Sequence, residues 1–441
     1  MTTATTGIMA ADEVVGIARD LIRIDTSNYG PGGDGPGERV AAEYVAGLLD
    51  EVGIASTTVE SESRRANVIA PWEPEGCDKS LPPLLIHGHL DVVPAQASDW
   101  SVDPFSGEIR DGAVWGRGAV DMKDFDAMLL AVVRQRVREN RPPRRPIRLV
   151  FTADEESGGR QGAVWLVRNH PDLVADCTEA VGEVGGFSLT VGDQRLYLIQ
   201  TAEKGLAWLR LIADGMAGHG SMRNADNAVT ELAEAVAMLG RYEWPYQIHE
   251  AQQGFLDAVG EMLGVKIGPG SVEETLARLG SISRMVGATM SHTVNPSMLE
   301  AGYKVNVIPG QATAGADGRF IPGRRDEFIA QVEEIVGPKV RVEITHEQTG
   351  VEAPFGTDLV EAMRRSLAAE DPGARIAPYL LSAGTDAKAW SELGMNCYGF
   401  VPLRLPADLD FVGMFHGVDE RVPVDSLEFG CRVLDRFLDL A

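Results

Sequence analysis

"LLIHGHLDVVPA", residues 84–95, decides how this chain is read. An apolar run leads into His87 and His89, Asp91 follows, and apolar residues resume before Pro94. One reading is a buried strand whose histidines are hydrogen-bonded within a core, near a surface aspartate. The other is a strand that delivers imidazole and carboxylate to a metal ion. The stretch alone leaves both open, so its neighbours must choose.

Those neighbours alternate short apolar strands with helical patterns. "ADEVVGIARDLIRI", "ERVAAEYVAGLLDEVG", "FDAMLLAVVRQRVREN" and "GAVWLVRNH" carry apolar residues at helical spacing. "PLLIHGH", "PIRLVFTADEE" and "EAVGEVGG" read as strands. This order predicts an α/β domain with a largely parallel sheet. The pattern changes near residue 202. Strand "KGLAWLRLIADG", helix "NAVTELAEAVAMLGR", strands "EAGYKVNVIPG" and "QATAGADGRFIPG", helix "RRDEFIAQVEEIVG" and strand "KVRVEITHE" give a β-α-β-β-α-β order. That order predicts a ferredoxin-like (α+β) module, interrupted by a less regular stretch over 243–297. After 348 the first pattern resumes. The chain therefore divides into a first domain over 1–201 and 348–441, with a second domain over 202–347 inserted.

Composition narrows the function classes. The 441 residues carry a formal net charge of -25, which argues against nucleic acid and anionic membranes as partners. No window is apolar enough to span a membrane. The start, "MTTATTGIMAADE", lacks the basic and apolar regions of a signal peptide. Cys77, Cys177, Cys397 and Cys431 are scattered without a C-x-x-C pair, so neither a disulfide framework nor a thiolate metal site is expected, and a cytoplasmic location fits.

Ligands of open α/β sheets gather beyond the carboxyl ends of strands. His89 and Asp91, then Glu155 and Glu156, then Glu183 all fall at such ends. Asp121 lies in the loop "GRGAVDMKD" and His416 in "MFHGVDER". Taken singly, an acidic pair after a strand is more often a solvated helix start, and a lone histidine is more often structural. Five separate positions converging on one sheet edge fit a metal centre far better.

"HGHLDVVP", "GRGAVDMKD", "TADEESGG", "GEVGG" and "HGVDER", in this order and spacing, resemble the co-catalytic zinc hydrolases. That family includes aminoacylase, carboxypeptidase S, carnosinase and bacterial glutamate carboxypeptidase. The resemblance covers essentially the whole chain. It implies two zinc ions per subunit, with cobalt or manganese able to substitute. His89, Asp121 and Glu183 would bind one ion, and Asp121, Glu156 and His416 the other, with Asp121 bridging. It further implies a cis peptide bond between Asp121 and Met122, with Glu155 as general base; the residue-level alternative has Glu155 as the ligand and Glu156 facing solvent. Asp91, two residues beyond His89 and so on the same strand face, can accept the His89 ring N–H on its carboxylate. His87 has the same parity as His89 and is assigned to packing.

The resemblance extends to the inserted lid. His219 in "GMAGHGSM" would steady a tetrahedral oxyanion, acting across a homodimer formed through the lid domain. Asn306 and Arg319 match lid residues that hold a substrate carboxylate; the residue-level alternative for Arg319 is a strand arginine paired with Asp317. Gly384, Thr385 and Asp386 in "SAGTDAKAW" match a loop near the substrate. Val184 departs from the pattern, because close relatives often have glycine after the third-strand glutamate; Glu179 is then the alternative ligand. A glutamate at 183 marks carboxypeptidases and acylases rather than aminopeptidases. The expected activity is zinc-dependent hydrolysis of an amide in small peptides or N-acyl amino acids, through water activated by Glu155. The alternatives are a biosynthetic deacylase of acetylornithine or succinyl-diaminopimelate type, and a non-catalytic metal-binding relative.

Overall fold

The computed structural model describes residues 7–267, 272–274 and 282–441. Among these, a ten-stranded sheet forms the first layer. Its order runs Thr57–Glu62, Arg65–Trp72, Ile147–Thr152, Leu84–His89, Glu179–Gly182, Asn396–Gly399, Gln194–Glu203 and Val351–Glu352. Arg375–Leu381 and Ser188–Val191 also pair with Gln194–Glu203. The centre of the sheet is parallel: Leu84–His89 lies between Ile147–Thr152 and Glu179–Gly182, and Asn396–Gly399 continues the run.

Alternation along each strand divides its side chains between two helical layers. Leu84, Ile86, Leu149 and Phe151 join the core shared with helices Ala10–Arg23, Lys123–Arg138 and Val424–Leu440. Leu85 and Val150 face the other way, onto Leu166 and Trp390 of helices Ala163–Asn169 and Ala387–Glu392. Strands buried on both faces therefore read as apolar runs rather than as alternating ones. Helix Lys123–Arg138 is buried from Lys123 through Arg136. Each enclosed leucine there, such as Leu129 or Leu130, contributes roughly 1.5–3 kcal/mol by leaving water. Its first residue is fastened too, because Lys123 Nζ donates to the carbonyls of Leu21 and Ile24 at 2.9 Å each, the open end of helix Ala10–Arg23. No described helix is long and apolar enough to cross a membrane.

A second, antiparallel sheet has the order Thr293–Ala301, Gln311–Phe320, Gly205–Asp214, Val340–Gln348. Ala207, Leu209 and Leu211 pack one face against helices Ala228–Arg241 and Arg325–Val336. The alternate residues Leu206 and Trp208 line the cavity described below. In register with them, Arg319 and Gln348 flank Leu206, while Asp317 and His346 flank Trp208.

Two details differ from the sequence reading. The partner of Gln311–Phe320 is Thr293–Ala301, whereas Val307–Ile308 pairs with Gly218–His219 in a separate ribbon. Pro296 and the bulge between Pro296 and Met298 break the strand pattern, and proline is tolerated there because the strand is an edge. Helix Glu250–Leu263 also lies in the stretch read as irregular. Its Phe255, Leu256 and Val259 enter the core of the first sheet. The segment 202–347, which we propose as the insertion, thus supplies nearly all of the second sheet and also part of the first core, including residues of helices Glu250–Leu263 and Ile282–Gly287.

Candidate metal centre

His89 is the last residue of its strand, Glu183 directly follows Glu179–Gly182, and Glu155 and Glu156 stand three and four residues beyond Ile147–Thr152. Parallel pairing brings these three strand ends to one edge. Asp121 and His416 come from loops tied together by Glu420. The buried Glu420 carboxylate accepts from Arg117 Nη1 at 2.7 Å and from the backbone N–H groups of Gly118, Val120 and Asp121 at 3.0, 2.7 and 3.2 Å. Arg117 in turn donates to the carbonyl of Gly417 at 3.0 Å. The peptide bond between Asp121 and Met122 is cis, as the resemblance implied.

The side chains converge on Asp121. Its Oδ1 lies 3.2 Å from His89 Nε2, and its Oδ2 lies 3.3 Å from His416 Nε2. Glu183 Oε2 is 3.5 Å from His89 Nε2, and Glu156 Oε2 is 3.0 Å from His416 Nε2. Among the described residues, two groups have ligand atoms close enough to share an ion: His89 with Asp121 and Glu156, and His89 with Glu155 and Glu183. His89 thus faces one oxygen of the aspartate with Glu183 and Glu155, and His416 faces the other oxygen with Glu156.

The electrostatics test whether cations fit here. Burial pushes Glu155 well above the ordinary carboxylate range, and the neighbouring Glu183 adds to it. Burial likewise raises Glu156, with Asp121 contributing, and lifts Glu183 to about 8 although His89 opposes this. Hydrogen bonds to Asp121 and Glu156 raise His416 to about 10. His89 is held well above its usual value, because Glu183 and Asp121 outweigh the opposing effect of burial. Four carboxylates confined with two imidazoles form a site short of positive charge, and Glu156 Oε1 is buried without a hydrogen-bond partner. Oxygen and imidazole donors in this number suit divalent cations such as zinc.

The structure places the remaining candidates as follows. The expected role of the Asp91 carboxylate is corrected. His89 Nδ1 lies 2.9 Å from the Asp91 backbone carbonyl and 3.6 Å from its carboxylate. The carboxylate is occupied elsewhere: it accepts the backbone N–H groups of Glu155 and Glu156 at 3.0 and 3.1 Å, and Asn28 Nδ2 at 2.9 Å. The carbonyl still directs the ring N–H to Nδ1, leaving Nε2 for the centre. His87 packs edge-on against Trp390. Glu179 pairs with Arg145 at 2.7 Å at the start of its strand, away from the edge that carries Glu183. Val184 has φ +57°, a backbone conformation that favours glycine.

His219 and Asn306 do not line the cavity of their own chain. His219 is exposed, with Nδ1 2.8 Å from Ser221 Oγ, and its ribbon partner is Val307, beside Asn306. Arg319 does line the cavity, already in a bidentate pair with Asp317 at 2.9 and 3.1 Å. Gly384, Thr385 and Asp386 line it too, though Thr385 Oγ1 donates to Glu203 and Asp386 Oδ2 accepts from Thr152 Oγ1. Sequence reasoning missed Asn28 and Glu420. Glu420 stands within the quoted "HGVDER", and Asn28 within a Gly/Pro-rich loop whose polar residue had no visible partner in the chain.

Asp121, Glu155, Glu156, Glu183 and His416 line a cavity of about 650 Å³. Val184, Phe187, Leu206, Tyr379, Val412 and Phe415 give its lining an apolar part beside the acidic residues. A cavity that carboxylates, an imidazole and apolar side chains line together, beyond the carboxyl ends of parallel strands, suits a metallohydrolase. The chain belongs to Peptidase family M20/M25/M40, whose model matches residues 85–440, and is thereby a hydrolase of peptide and related amide bonds. It is 28% identical over 387 residues to the probable carboxypeptidase S-like 2 of Dictyostelium discoideum, covering 82% of this chain and 72% of that protein. It is also 28% identical over 375 residues to the N-fatty-acyl-amino acid synthase/hydrolase PM20D1 of Xenopus tropicalis, covering 80% and 71%. Its fold is similar to that of the M20 family metallo-carboxypeptidase Sso-CP2 from Sulfolobus solfataricus, with a TM-score of 0.70, 18% identity, and 97% and 99% of the two chains covered.

Proposed function

We propose that the chain hydrolyses the amide bond of small peptides or N-acyl amino acids, using two zinc ions per subunit. The observation that carries this reading is Asp121, whose two oxygens face His89 and His416 separately. His89, Asp121 and Glu183 would hold one ion, and Asp121, Glu156 and His416 the other. Such a pair lowers the pKa of a water and polarises the scissile carbonyl.

The chain's own groups do the rest. Glu155 takes the proton of the attacking water on a carboxylate oxygen and delivers it to the leaving nitrogen. Asp91 fixes Glu155 and Glu156 through their backbone N–H groups. His219, exposed on its ribbon, serves the site of a second copy, where it stabilises developing negative charge on the carbonyl oxygen. The exposed edge strand Thr293–Ala301, with Met298 72% and Leu299 65% accessible, supports a homodimer formed by pairing of that edge.

Between the two substrate classes, the apolar part of the lining favours N-acyl amino acids with an apolar acyl group. The relative named an N-fatty-acyl-amino acid synthase/hydrolase supports the same choice. That part of the lining suits the small polar substrates of acetylornithine or succinyl-diaminopimelate deacylases less well. The test is a hydrolysis screen of dipeptides and N-acyl amino acids of graded chain length with zinc, cobalt or manganese added. Turnover that rises with acyl length is expected, and turnover confined to acetyl or succinyl compounds would reverse the choice.

A further inference from the structure

The loops that carry Asp121 and His416 leave the same end of one antiparallel strand pair. Trp115, the last residue of Ala113–Trp115, stands opposite Arg421, the first of Arg421–Pro423. Residues 116–121 follow one strand and residues 416–420 precede the other, so the two loops start side by side. The backbone N–H of Gly116 donates to the Glu420 carbonyl at 3.0 Å and closes that end.

Two side chains then cross between the loops in opposite directions. Arg117, from the Asp121 loop, donates to the carbonyl of Gly417, the residue after His416. Glu420, from the His416 loop, accepts three backbone N–H groups of the Asp121 loop, among them that of Asp121 itself. The two also meet each other at 2.7 Å, and their side chains are only 5% and 0% exposed. Arg117 and Gly118 donate to Oε2, and Val120 and Asp121 to Oε1, so all four lone-pair sites of the carboxylate are used.

Further contacts brace this crossing. The Arg117 guanidinium lies over the Trp100 ring, 5.2 Å from its centroid. Asp419 accepts the backbone N–H and the hydroxyl of Ser101 at 2.8 and 2.6 Å. His416 and Asp419 both have φ +57°, which a non-glycine residue keeps only where its surroundings over-determine it. A buried ion pair is by itself a weak source of stability, because desolvation offsets most of the attraction. Its product here is geometry: the Asp121 backbone is fixed against that of His416, and with it the 3.3 Å between Asp121 Oδ2 and His416 Nε2. His89 and Glu183 are placed instead by strands of the first sheet.

We propose that Arg117 and Glu420 are positioning residues that set the affinity of the second ion, the one assigned to Asp121, Glu156 and His416, with little effect on the first. This rests on the two-ion reading above.

The experiment is a calorimetric zinc titration of chelator-treated protein. His416→Ala serves as the reference, since it lacks the second ion's histidine and so marks that binding step. Glu420→Gln keeps the shape of the side chain, but its amide nitrogen cannot accept, so half of the N–H groups lose their acceptor. It is expected to weaken the marked step by about 10–100-fold and to shift the other step less than about threefold. Arg117→Lys keeps the charge without the fork and should weaken the same step by less. Saturating zinc should restore most of kcat in Glu420→Gln but not in His416→Ala. A merely structural role would lower the unfolding midpoint of the metal-free protein without singling out one step. Equal weakening of both steps, or an unchanged marked step, would overturn the assignment. If Glu420→Gln does not fold, Arg117→Lys decides on the same terms. Wild-type protein that binds two ions but hydrolyses no amide sinks the proposed function alone, provided the marked step still weakens selectively. Two steps with hydrolysis but no selective loss sink the positioning role alone, and fewer than two steps in the wild type sink both.

Discussion

Glu155 and Glu156 are neighbours in the chain yet face different histidines: Glu156 Oε2 lies 3.0 Å from His416 Nε2, and Glu155 Oε2 lies 4.0 Å from His89 Nε2. One anchor, the Asp91 carboxylate, holds both backbones. The pair should therefore fail in different ways. Glu155→Gln should keep two bound metals while losing about 10²–10⁴-fold in rate, the usual contribution of a positioned base. Glu156→Gln should lose metal. Elemental analysis beside a rate assay checks both, and metal loss confined to Glu155→Gln would exchange the two roles.

His219 is exposed and outside its own cavity, which frames a test of action across a dimer. His219→Ala and Glu155→Gln subunits, each inactive alone, should recover activity when mixed, because one site of the mixed dimer then has both groups intact. Subunit exchange confirmed by mass, with no recovered turnover, would place His219 in cis or outside the reaction.

Val184 holds a β-branched side chain at φ +57°. A left-handed backbone costs a non-glycine residue about 1–2 kcal/mol. Val184→Gly and Val184→Ala both remove the valine's packing, but only glycine removes that cost. The glycine variant should therefore be about 1 kcal/mol more stable than the alanine variant in thermal or denaturant unfolding, despite the greater chain entropy of glycine. The reverse ranking would mean that the backbone changes when the valine is removed.

Asp371 accepts from Arg195 Nη2 at 2.7 Å and from the Tyr197 hydroxyl at 2.8 Å. The Arg195 hydrogen bonds lead in holding its carboxyl below the ordinary range, against the effect of burial. A folded pKa below the unfolded value of about 3.9 means that the ionised form stabilises the fold above about pH 4, and that this contribution fades as the pH falls further. Asp371→Asn should cost about 1–2 kcal/mol at pH 7, since Arg195 is partly solvated. The gap from wild type should narrow towards pH 3. A gap that is constant with pH would assign the loss to shape rather than charge.

Much of the site was legible because its chemistry lies where local pattern is strongest. His89 ends one apolar strand and Glu183 follows another, and a run of buried residues that stops in a histidine or a glutamate is visible without any tertiary contact. The residues that hold the candidate site in place were not legible in the same way. Asn28 joins Asp91 and Asp154, and Glu420 gathers the loop of Asp121, through partners distant in the chain. Helix Glu250–Leu263 lies within the stretch 243–297 that was read as irregular, so the docking of its Phe255 and Val259 on the first sheet was missed with it. Edge strand Thr293–Ala301 was hidden by Pro296, a residue that only an edge tolerates.

The central claim is that the carboxylates and imidazoles around Asp121 bind two metal ions on which amide hydrolysis depends. The direct measurement is a zinc titration of chelator-treated protein, with metal content and N-acyl amino acid hydrolysis followed together. Activity should be absent in the metal-free protein and should return to a plateau at two ions per chain. Full hydrolysis by protein shown by elemental analysis to hold no metal would contradict the account.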